Sequence, residues 1–387
     1  MSASFYDLLK YAATGIASPD MTYYDKMRAS TLMGGVVKTL TGIPPLSFKS
    51  DGTPLISWNM KGNGSQTGTP TPDNPVMPEF VGVRTANLCG VNEWKNAQST
   101  DTRSYFQIGI ILYNGSTSLG SKYKSVQTVG AFNLATNATS DTITKIQIKH
   151  NGSSRDLMID EITGNWSAGT VFTVSANCIG NDPTVLNGID LQNIMLNTGS
   201  TAQPYEPFGY KIPITLAGQT QNIYLSEPLR KIGYYADSVS SDGTVTRRIK
   251  KLVLTGEEDT IGYSTSGQNA RAYFALTDVL ASSTGISTHY KLGVIRNYPF
   301  VGEFCINNSG AIIFGVDIST ITSSADFKAF LASQYSAGTP ITIWYVLANP
   351  VTETVTVPTL TPTKGSNTLS IGTTLAPSEV SITGGIK

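Results

Sequence analysis

Apolar residues alternate with polar ones through most of the chain, and a helical period surfaces only near the N-terminus and around residue 330. In Ser4–Ala13, Phe5, Leu8, Leu9, Ala12 and Ala13 fall at i, i+3, i+4, i+7 and i+8, the stripe of an amphipathic helix that Gly15 and Pro19 then stop. Asp20 or Thr22 is placed to cap a second short helix through Leu32, with Met21, Tyr24, Met27 and Ala29 partly on one face. Two such helices are marginal in water alone. Segment 1–34 therefore reads as a helical arm that docks on a partner through Phe5, Leu8, Leu9, Tyr24 and Met27, or as a helical hairpin packed on its own chain.

Beyond the arm the expected elements are strands. Leu46 and Phe48, the Asp51-Gly52 turn and Leu55–Trp58 spell a small hairpin, and Gly62–Pro78 reads as an extended Gly/Thr/Pro linker. Its glycines have neither the spacing nor the following helix of a phosphate loop. Strand-like runs then cover Val81–Ala86, Ser104–Tyr113, Ser125–Leu134, Thr142–His150, Asp156–Ile162, Thr170–Cys178 and Leu191–Leu196. Turn chemistry separates them at Asn114-Gly115, Asn151-Gly152 and Gly164-Asn165. Leu216–Lys251 reads as paired ribbon turning at Asp242-Gly243, its Arg247, Arg248, Lys250 and Lys251 neutralised by Glu257, Glu258 and Asp259. Further runs follow at Tyr273–Leu276, Leu292–Ile295, Phe300–Ile306, Ala311–Val316, Thr339–Leu347 and Val351–Val357. A helix capped by Ser323 or Ser324 interrupts them over Ala325–Tyr335, and Asn367–Thr373 and Ser378–Thr383 close the chain.

Short antiparallel strands at this spacing predict a mainly β protein: two antiparallel β-sandwich (jelly-roll-like) domains in series behind a short N-terminal helical arm. The expected divisions are arm 1–34, hairpin and linker 35–79, first sandwich 80–213, ribbon connector 214–251 and second sandwich 252–387. Asn197–Pro213 is the seam. Its Tyr205, Phe208 and Tyr210 stand among Pro204, Pro207 and Pro213, which exclude helix and leave the rings to cover something.

Composition narrows the class. Charged residues make up 14% of the 387, against about 25% in ordinary soluble proteins, a profile suited to turn-rich β-structure packed in large assemblies. With 27 basic and 27 acidic residues the formal net charge is zero, so no attraction to nucleic acid or anionic membrane is built in. Cys89, Cys178 and Cys305 lie far apart without CxxC spacing and read as buried, reduced thiols. No apolar run approaches the ~20 residues of a membrane span, and the first thirty residues lack a secretory leader. The expectation is synthesis in a cytoplasm, without membrane insertion, and release by other means such as lysis.

Little points to a reaction. His150 and His289 sit in no HxxxH, HExxH or GxSxG context. Asp156, Asp160 and Glu161 are the least implausible carboxylate set, though solvated carboxylates beside a turn explain them as well. Oxygen ligands for calcium are plentiful, but no EF-hand spacing occurs. No catalytic residue, cofactor or metal is therefore expected. Near the loops of the first sandwich, Trp94, Arg103, Tyr105, Asn165 and Trp166 combine rings for stacking sugars with amide and guanidinium groups for their hydroxyls. Core and rim packing is the competing reading of each.

Four stretches carry a resemblance. Ile194–Ala202 running to Tyr205-Glu206-Pro207-Phe208-Gly209-Tyr210 resembles the closing strand of carbohydrate-binding-module-like domains in tail proteins of phages infecting Gram-positive gut bacteria. Pro70–Pro75, Glu227–Gly233 and Ser324–Leu331 before Ile343–Ala348 and Pro350 are similar to recurrent segments of such proteins, in the same order. The resemblance implies a non-enzymatic tail-tip or baseplate component of the virion that acts in host attachment. Other tail proteins would be met through the N-terminal arm and a host cell-surface polysaccharide through a β-domain, commonly as a homotrimer. The family has no fixed sugar-binding motif, so it transfers no site residue. The chain is short for a fibre and lacks an evident enzymatic domain, which leaves a purely architectural adaptor and, more remotely, a polysaccharide depolymerase as rivals.

Overall fold

The computed structural model describes residues 27–32, 35–40, 56–80, 82–95, 106–126, 129–152, 155–180, 190–216, 219–358, 367–371 and 380–384. The described chain is mainly β, built from several largely antiparallel sheets with a single α-helix among the described residues. It divides into two compact units, and they are nested rather than consecutive. One comprises Val83–Lys211 with Tyr224–Glu227; the other comprises Met1–Gly82, Ile212–Ile223 and Pro228–Lys387. The five successive segments expected from sequence are thus replaced by an inserted unit and a discontinuous one.

The discontinuous unit begins with β1 (Met27–Leu32) and β2 (Gly35–Leu40), an antiparallel pair. This corrects the helix expected through Leu32: Met27 lies in a strand. Thr31 pairs with Val36 and Ser30 with Val37, and β-branched residues favour strand over helix. Phe5, Leu8, Leu9 and Tyr24 lie outside the described residues. Next comes β3 (Ile56–Lys61), followed by β4 (Gly64–Ser65) and β5 (Glu79–Phe80), which pair with each other. The expected linker between them is anchored structure: the Val76 amide donates to the Thr288 carbonyl at 2.8 Å. The Gln66 amide donates to the carbonyls of Val76 and Ser287 at 2.8 and 2.9 Å.

In the inserted unit, β6 (Val83–Arg84) and β7 (Glu93–Trp94) precede β8 (Phe106–Asn114), β9 (Thr117–Val126), β10 (Gly130–Ala135), β11 (Ile143–Gly152), β12 (Arg155–Trp166), β13 (Phe172–Ile179) and β14 (Asp190–Thr198). Two four-stranded sheets result, in the orders β10-β13-β14-β7 and β12-β11-β8-β9. Alternation dictates their facing sides. Ile108, Ile110, Leu112, Ile146 and Ile148 from one sheet join Phe132, Leu134, Phe172, Val174, Leu191 and Leu196 from the other in one buried, sandwich-like core. Three expectations shift here. The run Ser125–Leu134 is two strands, β9 ending at Val126 and β10 starting at Gly130. Gly164 and Asn165 lie inside β12, and Asn151 and Gly152 are the last paired residues of β11.

The seam folds back onto this unit. Asn197 is buried; its amide donates to the carbonyls of Thr198 and Thr201. Asn87, also buried, donates to the carbonyls of Ile194 and Glu206 and accepts from the amides of Cys89 and Leu196. The rings cover a cation: Phe208 and Tyr210 lie 5.0 and 5.1 Å from the Arg84 guanidinium. The two ends of the unit meet, because Lys211 pairs with Val83 at the start of β15 (Tyr210–Leu216).

After β16 (Gln219–Leu225), β17 (Lys231–Ile232) and β18 (Tyr235–Ala236) form a small pair, and β19 (Ser238–Ser240) turns through Asp242-Gly243 into β20 (Thr244–Val253) as expected. Then come β21 (Gly262–Ser266), β22 (Asn269–Ala275), β23 (Gly285–Ser287), β24 (Lys291–Leu292), β25 (Glu303–Ile306), β26 (Ala311–Val316), α1 (Ser324–Ser336), β27 (Thr342–Thr354), β28 (Asn367–Ile371) and β29 (Val380–Gly384). A six-stranded sheet, β23-β27-β20-β19-β3-β29, and a five-stranded one, β21-β22-β26-β25-β24, share with α1 a core around Phe274, Phe304, Phe314, Phe327 and Tyr345. Ser323 caps α1 by accepting from the Asp326 amide at 3.1 Å. The strand β3, expected to return in a local hairpin, pairs instead with distant β19 and β29. The runs 339–347 and 351–357 merge in β27, which pairs along nearly all of β20, so the ribbon connector is a sheet strand. Its cations are neutralised by other acids than expected: Arg247 pairs with Asp237 and Glu353, and Lys250 with Asp278 at 2.6 Å. Glu258 instead accepts from the amides of Thr255 and Gly256.

Candidate functional site

The strand that sequence periodicity passed over builds the most distinctive feature of the inserted unit. Residues directly opposite one another in an antiparallel pair share a face, and β9 lies opposite β8 with Lys124 facing Ile108, Lys122 facing Ile110 and Gly120 facing Leu112. Those partners of β8 are buried. The core-facing row of β9 is therefore Val126, Lys124, Lys122 and Gly120, which hides the apolar alternation that marks a strand. The lysine stems lie along apolar surface while the ammonium groups reach out. Lys124 stands 5.5 Å from the Phe132 ring centroid and donates to the Asn133 carbonyl at 3.0 Å. Lys122 donates to the Asn137 side-chain oxygen at 3.2 Å.

Where the row ends in Gly120, no side chain fills the space. Its φ of +146° suits glycine, and a Cβ there would meet no atom within 4 Å. A groove of about 240 Å³ opens beside it. Ile110, Leu112 and Leu119 form an apolar floor, and Ser121, Lys122, Asn137 and Thr139 supply hydroxyl, ammonium and amide groups around it. The loop side is held rigid: Thr136 accepts from the Phe172 amide at 2.9 Å, Thr139 donates to the Asp141 carbonyl, and its own carbonyl accepts from the Gly169 amide. Ligand sites commonly combine an apolar lining with a few fixed polar groups.

The residues singled out from sequence do not converge. Trp94, in β7, is half-buried against the core and stacks on His150 with centroids 4.4 Å apart. Trp166, at the end of β12, packs edge-on against Phe172 at 5.3 Å and covers Gly164 so closely that a Cβ there would come within 2.4 Å of its ring. Trp166 pairs with Ile143 at one end of β11, whereas Trp94 touches His150 seven residues further along, roughly 23 Å at ~3.3 Å per residue. The two rings are core lids at opposite ends of a sheet and do not form one platform. Asn165 is exposed on β12. Arg103 and Tyr105 lie outside the described residues.

The groups considered for chemistry are occupied structurally. Asp160 accepts from the Gly90 amide at 2.7 Å and Glu161 from Gln147. Asp156 and Asp160 are four residues apart in one strand, roughly 13 Å along its backbone. Burial pushes the Cys178 thiol up to about 11 and raises Cys89 and Cys305 as well, so all three are protonated and poor nucleophiles. His289 is buried beside Thr288, whose hydroxyl lies 2.7 Å from its Nδ1, and burial lowers its pKa. Among the described residues no group of three His, Cys, Asp or Glu could hold a metal ion.

Comparison of the chain with protein-family models, with curated proteins and with solved structures finds no match.

Proposed function

We propose that the protein is a non-enzymatic component of a phage tail tip or baseplate that attaches to host cells by binding a surface glycan, with the inserted jelly-roll-like unit as the binding domain. The observation that carries this reading is the groove beside Gly120: an apolar floor, a rigid loop and hydroxyl, amide and ammonium groups at its rim. Glycans are held by such pairing of apolar ring faces with fixed polar partners. The N-terminal residues, among them Phe5, Leu8 and Leu9, would engage other tail proteins.

Assembly as a homotrimer belongs to the same proposal. The segment Lys291–Gly302 turns its apolar side chains outward: Leu292, Val294, Ile295, Phe300 and Val301 are exposed. Its polar groups are spent on anchorage. Arg271 donates to the Asn297 carbonyl, the Cys305 thiol to the Arg296 carbonyl, and Tyr298 bonds Ser264 and the Thr265 carbonyl. Arg296 lies on the Phe300 ring at 4.2 Å. Apolar, aromatic and arginine side chains without carboxylates are the composition of protein interface cores, and a second copy is the partner a symmetric assembly supplies.

The deciding experiment is binding of labelled full-length protein to intact candidate host bacteria, compared with an Ala138→Trp variant that adds bulk at the groove lip. Saturable binding that the variant loses while keeping its melting temperature supports the reading. Binding that the variant retains moves the site elsewhere, and no binding to any host of the parent phage favours the architectural role. A native mass of one chain refutes the trimer.

A further inference from the structure

From the charge at the groove we infer the class of glycan it takes, an inference that rests on the glycan-binding reading: the ligand carries an anionic group, a carboxylate or phosphate on or between its sugar units. The only charged side chain lining the groove is that of Lys122. It occupies a core-facing position of β9, opposite buried Ile110, where the sandwich pattern calls for an apolar residue. Lys124, opposite buried Ile108, repeats the exception two residues away. Both ammonium groups emerge on the side where β9 approaches β10 and the loop that follows it, bonded to Asn137 and to the Asn133 carbonyl.

Neither contact neutralises its lysine, because an amide oxygen and a peptide carbonyl carry no net charge. Each ammonium has three donors, so at least two on Lys122 stay available to a ligand. A purely structural strut at these two positions would need only one neutral donor on each; the Lys122 cation at the apolar floor, with Lys124 two residues along the same strand and no carboxylate among the lining residues, creates a local positive potential in a chain of zero formal net charge. Hydroxyls of Ser121 and Thr139 and the Asn137 amide then serve the uncharged hydroxyls of the same sugar. The floor of Ile110, Leu112 and Leu119 takes the apolar face of its ring.

The test measures binding of the full-length protein to three soluble polymers, a polyuronate, a phosphodiester-linked polyol and a neutral glucan, at 50 and 300 mM salt, using wild type, Lys122→Gln and Ala138→Trp. The inference expects one or both anionic polymers to bind, more weakly at the higher salt, with Lys122→Gln weakening that binding about tenfold through loss of a charge-assisted bond. Ala138→Trp should abolish it. Preference between the uronate and the phosphodiester identifies which anion is recognised. Equal binding of the neutral glucan, or a salt-independent affinity that Lys122→Gln leaves unchanged, overturns the anionic class while leaving glycan binding intact. Failure of all three polymers together with Ala138→Trp-insensitive attachment to cells overturns the groove itself.

Discussion

Asp237 lies at the junction of β18 and β19 with no exposed surface, and its replacement by alanine offers the sharpest check on how the discontinuous unit is held together. Its carboxylate accepts from the amides of Arg248 at 2.8 Å and of Ile249 and Arg230 at 3.1 Å, and faces the Arg247 guanidinium at 3.5 Å. Burial pushes its pKa up, while those amides and the charges of Arg247 and Arg230 pull against it. Alanine would leave three backbone donors without their acceptor and take from the largely buried Arg247 one of the two carboxylates it faces, Glu353 remaining. Losing one partner of a buried pair costs about 3–5 kcal/mol, a large share of the ~5–15 kcal/mol that stabilises a domain. Thiol labelling separates the units, because Cys305 lies in the discontinuous one and Cys89 and Cys178 in the inserted one, all three buried. Pulsed alkylation along a urea series, read by mass spectrometry, should show Cys305 exposed at markedly lower urea in Asp237→Ala, with Cys89 and Cys178 unmoved. Asp237→Asn, which keeps one acceptor, should fall between. A Cys305 midpoint within about 1 kcal/mol of wild type would refute the reasoning, since no unsatisfied cluster of this size is that cheap.

Other expectations follow from the same contacts. Trp94→Ala and Trp166→Ala should each destabilise the inserted unit by about 2–3 kcal/mol, less than a fully buried tryptophan because both are half-buried; a variant of unchanged stability that loses cell binding would restore the rings to a binding role. Replacing exposed Phe300 and Val294 by serine should change the unfolding free energy of the protein at high dilution by no more than about 0.5 kcal/mol, measured by urea titration. Stability should fall on acidification. His289 is held below its ordinary value by burial, and Glu206 and Asp278 are held low because bonds from Lys211, and from Lys250 and Tyr345, outweigh their burial. Depressed folded values of this kind contribute stability present above the unfolded pKa and lost as pH falls through the folded one, so the loss begins below about 6.5 and deepens through the carboxylate range. Asp237, raised by burial, works in the opposite sense. A melting temperature that rises from pH 7 to pH 4 would contradict the balance.

How much of this was legible in the sequence depended on whether a strand's chemistry was its own. Ala311–Val316 carries its bounds in its own apolar run, every residue of which is buried, and the ribbon strand enters directly from the Asp242-Gly243 turn. The N-cap at Ser323 is equally local. What failed was non-local. Ile56–Trp58 reads as a hairpin arm, yet it belongs to β3, whose partners β19 and β29 lie some 180 and 320 residues away by register. The groove failed for the opposite reason: lysines in the core-facing row erase the alternation, and the missing side chain at Gly120 looks like a turn. Tryptophans near loops drew attention to binding although their rings close the core.

The nesting itself makes a claim that can be tested by excision. A unit inserted in another domain must begin and end at neighbouring points, and the pairing of Lys211 with Val83 and of Tyr210 with Arg84 brings the two ends of the long segment together. Its core of isoleucines, leucines and phenylalanines is drawn from the segment itself, as is the seam network of Asn87, Asn197 and Glu206. Only Tyr224–Glu227 comes from outside. A chain of this length buries roughly two-thirds of its unfolded surface, enough for independent stability. The fragment 83–211 should therefore fold alone, unfold cooperatively in urea and keep Cys89 and Cys178 protected from alkylation. The converse deletion, joining residue 82 to residue 212 through a short glycine-serine bridge, should leave Cys305 protected. A fragment that stays unfolded and labels at once would show that the inserted unit borrows its stability from the rest of the chain, and the nested description would fail with it.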